Sequence, residues 1–157
     1  MKGQSRTFVT LALIMLVVGV LRFFMKGWAD ALGVPEIIGS LIVSLNIVLL
    51  VGLAIIFARE GRAPDGRYLA AAGWYLALAA WSTILIVTGI LITARIGTPT
   101  YYEEMVFAHR ALPPFQHAVS HAVAFVFVGV VGLLLGWPIY WIAKRGRPAS
   151  LAPAVQS

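Results

Sequence analysis

Four long apolar runs, separated by short polar and turn-rich stretches, dominate the pattern along the chain. The first extends from about Thr7 to Phe24, the second from about Glu36 to Ala58, the third from about Tyr68 to Ala94 and the fourth from about Phe115 to Ala143. None alternates apolar and polar residues at a two-residue period, so each reads as a helix rather than a strand. A helix rises about 1.5 Å per residue and bilayer hydrocarbon is about 30 Å thick, so about 20 mostly apolar residues cross it. A backbone in lipid must also satisfy its own hydrogen bonds, which a helix does. The expected fold is therefore all-α and integral to a membrane. Residues 1–145 form a single domain, an up-down bundle of four transmembrane helices, and residues 146–157, rich in Pro, Ala and Ser, form a flexible tail.

The breaks carry the usual punctuation. Gly33-Val34-Pro35 precedes the second helix, and proline suits a helix start. The stretch from Glu60 to Gly66 is polar and turn-rich, Gly97-Thr98-Pro99 ends the third helix, and Pro113-Pro114 leads into the fourth. The first run also resembles a signal peptide, with Lys2 and Arg6 ahead of it and Ala29-Asp30-Ala31 as a small-residue cleavage site. Arg22 and Lys26 lie between the apolar run and that site, which favours a retained helix.

Composition strengthens the membrane reading. The chain is 61% hydrophobic and 11% charged, against about 25% charged in a typical soluble domain. There is no cysteine, which excludes disulfides, thiolate metal sites and iron–sulfur clusters. The net charge of +6 does not point to nucleic acid, because the basic residues flank apolar runs instead of forming a stripe on a polar surface. Their distribution sets orientation. One side of the bilayer would hold Lys2, Arg6, Arg59, Arg62, Arg67, Lys144, Arg145 and Arg147 against Glu60 and Asp65, a net +6; the other holds four basic and four acidic residues, a net of zero. Basic residues favour the cytoplasm, so both termini are expected inside a bacterial inner membrane. The aromatic residues near the span ends suit the two interfaces.

Small residues mark the expected packing faces: Gly129, Gly132 and Gly136 in the fourth helix, Ser82, Gly89 and Thr93 in the third, Ser40, Ser44 and Gly52 in the second. Arg22 and Lys26, at the end of the first helix, are expected to snorkel to headgroups.

Candidate chemistry gathers in the outer loop and the start of the fourth helix. All three histidines, His109, His117 and His121, lie there, together with Glu103 and Glu104. A short interfacial helix over residues 101–111 would set Glu104 and His109 over the mouth of the bundle. His117 and His121 are four apart and share one helix face. That face continues through Phe125, Val128, Gly132 and Gly136, so both imidazoles are expected to point inward near the outer end. Glu36, Ser40 and Ser44 recur every four residues and offer a polar stripe at matching depth.

Ionisable groups at membrane depth are costly and mark functional candidates. Two imidazoles and a carboxylate suit a divalent metal, with His117, His121, Glu104 and Glu36 as ligands, although the catalytic glutamate of a His-Glu-x-x-His motif is missing. Haem b takes axial ligands on the two faces of the iron, so His117 or His121 would use His109 or a partner protein as its mate, or would ligate alone as a single histidine. A quinone or lipid-like ligand could use the same groups as hydrogen-bond and proton partners. Simple packing, with the histidines bonded to helix ends, is a further possibility. No phosphate loop, nucleophile motif or intramembrane acid pair is present. The expected function is a non-enzymatic accessory, ligand-binding or transport subunit of the lipid bilayer, alone as a homo-oligomer or within a larger complex. The alternative is a metal or haem redox protein or enzyme.

Overall fold

A computed structural model of the protein describes residues 2–96 and 113–146. These residues form six helices and no strand: α1 (Lys2–Phe23), α2 (Met25–Leu32), α3 (Glu36–Ile42), α4 (Leu45–Arg62), α5 (Tyr68–Ile96) and α6 (Pro114–Arg145). Four stretches are long and apolar enough to cross a membrane: Gln4–Phe23, Ile37–Arg62, Tyr68–Ile96 and Pro114–Arg145. The interfacial helix expected over residues 101–111 lies outside the described residues, as does the tail from 147 onward.

The first apolar run does not stop at Phe24. After a kink there the chain continues as α2, an amphipathic turn of helix that buries Met25 and Ala29 while Asp30 and Ala31 face outward. The indole of Trp28 donates to the Leu21 carbonyl at 2.9 Å, satisfying a group that the end of α1 leaves open. Gly33 closes α2 with φ 63°, and the Val34 amide reaches back to the Ala29 carbonyl at 2.9 Å. This left-handed cap suits glycine and turns the chain so that α3 packs against α2.

The second run is longer than its apolar core and is interrupted. Arg59 to Arg62 remain helical, because basic residues complement the dipole of a helix C-terminus. Termination comes at Ala63, which precedes Pro64 and adopts an extended conformation. The interruption falls at Val43–Ser44. Ser44 is extended and its hydroxyl accepts the Ile47 amide at 3.4 Å, so it caps α4.

Packing follows the small residues. α6 lies against both α4 and α5, and α1 also lies against both, so α4 and α5 are shared by the two outer helices. Gly132 leaves room for the Tyr75 ring and Gly136 for the Phe57 ring; a Cβ at either position would overlap those side chains. Ser82, Gly89 and Thr93 of α5 are buried as well. Hydroxyls and an indole tie the helices together: Tyr75 donates to the Val128 carbonyl at 3.1 Å, Tyr68 to Leu133 at 2.8 Å and Trp81 to Ala12 at 3.0 Å. The Leu133 bond lies beside the Leu134 carbonyl, which loses its usual donor because Pro138 has no N–H. The outward faces are apolar, with Phe127 71% and Leu134 70% exposed. A continuous surface of this kind is stable in lipid and aggregates in water.

Candidate functional site

Two ends can be told apart. At the terminal end, the start of α1, the end of α4, the start of α5 and the end of α6 meet. Gln4 donates to Glu60 at 2.8 Å, Glu60 accepts the Arg67 amide at 3.2 Å, and Tyr140 donates to the Gly66 carbonyl at 2.9 Å. At the histidine end, Ala118 of α6 and Ile90 of α5 form a small cluster with Phe23 of α1.

The histidines enter this end from the first turns of α6. Pro113 and Pro114 start the helix, and the His117 amide already donates to the Pro113 carbonyl at 3.0 Å. His117 is buried and His121 is half-buried. The two Nε2 atoms stand 3.2 Å apart, and the ring centroids are 5.0 Å apart. One nitrogen can donate to the other when the tautomers are opposite, or both can present lone pairs to a third atom. Ser120 donates to the His117 carbonyl at 2.7 Å and takes no part in the imidazole pair.

Arg22 is the second polar feature here. It is buried, 5% exposed, and Nη1 donates to the Val43 carbonyl at 3.4 Å. This corrects the expectation of snorkelling for Arg22; the Lys26 side chain lies outside the described ones. The break at Val43–Ser44 gives a cation inside the protein a backbone acceptor that an uninterrupted helix does not present. The break also corrects the expected stripe of Glu36, Ser40 and Ser44. Ser40 donates to its own Ile37 carbonyl at 2.8 Å and Ser44 is a helix cap, so the two do not continue one helical face toward the histidines. The nearest sequence signals for the break were Ser44 and Asn46, two polar residues close together inside an apolar run.

Glu36 opens α3. Glu104 and His109 lie outside the described residues. The structure therefore brings His117 and His121 together, and among the described residues no group of three metal-ligating side chains forms.

These features define a class: a small helical membrane protein of four apolar spans, with a pair of imidazoles in contact at one end. No family model matches the chain, and no curated protein or solved structure matches it significantly.

Proposed function

We propose that this protein is a non-enzymatic subunit of the bacterial inner membrane, with both termini in the cytoplasm, that holds a divalent metal ion at its outer end through His117 and His121. The observation that carries the reading is the 3.2 Å separation of the two Nε2 atoms. Two nitrogens, each about 2.0–2.1 Å from one tetrahedral metal, stand about 3.3–3.4 Å apart. The pair is therefore already spaced for bidentate capture, and the shared helix fixes the spacing. Glu104, Glu36 and His109 are the residues proposed to complete the coordination sphere. The excess of basic residues at the terminal end supports the orientation.

Haem fits the same pair poorly. Two axial nitrogens on opposite sides of one iron are separated by two metal–nitrogen bonds, about 4 Å, and the imidazoles must then face each other across the porphyrin plane. Side chains one turn apart on one helix leave no room for that plane.

Full-length protein purified in mild detergent, stripped with chelator and titrated with Zn²⁺ tests the proposal. Binding of one equivalent that disappears in His117→Ala/His121→Ala is expected. A wild-type protein that takes up no zinc, copper or iron, and whose stability is unchanged in the double variant, overturns it.

A further inference from the structure

The terminal end contains a cavity of about 320 Å³ between the start of α1, the end of α4 and the start of α5. Its polar lining is mixed in sign: Arg59 and Arg67 supply two guanidiniums, Glu60 and Asp65 two carboxylates. Trp74, packed against Phe8 with ring centroids 5.3 Å apart, forms part of its apolar wall. No ion pair links these arginines to these carboxylates among the described residues. Glu60 is held in place by the Gln4 amide and the Arg67 backbone, yet each carboxylate oxygen accepts more than one donor. Asp65 lies exposed in the loop between α4 and α5.

We propose that this cavity binds the headgroup of a phosphatidylethanolamine lipid. The ends of apolar spans put it at the boundary between hydrocarbon and water, where a headgroup lies. Guanidiniums recognise phosphate through several donors in a fixed plane. The carboxylates take the ammonium, whose three N–H donors match acceptors on Glu60 and Asp65. Trp74 lies at the level that indoles prefer, beside the glycerol region. An anionic headgroup such as phosphatidylglycerol offers the carboxylates neutral hydroxyl donors but no positive charge. A choline headgroup carries a positive charge but no N–H.

This assignment is independent of the histidine site and of which side of the membrane the terminal end faces. Native mass spectrometry of the full-length protein, titrated with phosphatidylethanolamine, phosphatidylcholine and phosphatidylglycerol of identical acyl chains, tests it. Phosphatidylethanolamine is expected to bind about tenfold more tightly than either, the worth of one charge-assisted hydrogen bond. Asp65→Asn, a change in an exposed loop, is expected to reduce the preference over phosphatidylcholine, because it removes an acceptor that only the ammonium N–H donors use. Arg59→Gln/Arg67→Gln is expected to weaken all three lipids. Equal affinity for the ethanolamine and choline lipids, tighter binding of phosphatidylglycerol, or an undiminished preference in Asp65→Asn overturns the proposal. Competition by water-soluble phosphoethanolamine at the lipid's own concentration also overturns it, because the occupant would then be a soluble zwitterion.

Discussion

Gly132→Ala tests how α5 and α6 are held together. The Cβ that alanine adds would overlap the hydroxyl and the ring of Tyr75. Tyr75 has little room to retreat: it is 2% exposed and its hydroxyl is bonded to the Val128 carbonyl. Either the ring rotates away and gives up that bond, or the two helices separate. Overpacking of this kind costs about 1–3 kcal/mol. The lost interhelical hydrogen bond adds about 0.6 kcal/mol, the average for such bonds in membrane proteins. A destabilisation of about 1.6–3.6 kcal/mol is therefore expected. Gly73→Ala is the matched control, because nothing lies within 4 Å of a Cβ built there; helix propensity alone makes it neutral or stabilising by up to about 1 kcal/mol.

The assay is reversible unfolding in mixed micelles with increasing denaturing detergent, followed by tryptophan fluorescence. A double-mutant cycle with Tyr75→Ala isolates the contact. With the ring removed, the methyl of Gly132→Ala has space, and its penalty is expected to fall below about 1 kcal/mol, a coupling in the range found for touching residues. The reasoning is refuted if Gly132→Ala unfolds at the wild-type midpoint, or if its penalty is the same with and without the Tyr75 ring.

Two further predictions concern the histidine end and the orientation. Arg22→Leu removes the donor to the Val43 carbonyl and is expected to lower stability by about 1–3 kcal/mol, with Arg22→Lys keeping part of it; an unchanged midpoint for Arg22→Leu would show that the buried guanidinium contributes nothing to the break. A reporter fused after Ser157 is expected to read cytoplasmic, and a periplasmic signal would reverse the proposed placement of the histidines.

The helices were legible because their signals are summed over many residues. A run of eighteen or more mostly apolar residues outweighs any one local exception, and the glycine faces of α6 follow from the need for close approach in lipid. The ends of the runs were less legible. Arg59 to Arg62 look like loop by polarity but stay helical, because charge at a helix end competes with apolarity as a criterion. The break at Val43–Ser44 was hidden for a different reason. A single serine within an apolar run reads equally well as a packing residue, and only its neighbours in space decide. Arg22 was misread on the same ground: its position near the end of a span suits snorkelling, and nothing local reveals that a carbonyl 21 residues away is within its reach. The spacing of His117 and His121 did carry the imidazole pair, since helix geometry alone brings i and i+4 together. Which residues stand opposite that pair is a matter of tertiary placement, on which periodicity is silent.

The interrupted helix and the buried arginine explain each other. Backbone that leaves the helical pattern at membrane depth persists only where protein covers it, since lipid offers no hydrogen bonds. Val43 is 1% exposed, so its carbonyl is covered, and Arg22 provides a donor. An arginine in the interior is equally costly without acceptors. On the other side of the break Ser44 caps α4, its hydroxyl accepting the Ile47 amide. The result is a link between α1 and the α3–α4 junction at the same end as His117 and His121. The Ala118–Ile90–Phe23 cluster anchors the start of α6 there as well. Sites whose supporting side chains are locked in this way hold their geometry more closely than sites carried on loops. The imidazole pair therefore stands on a helix start that this cluster packs against α1 and α5.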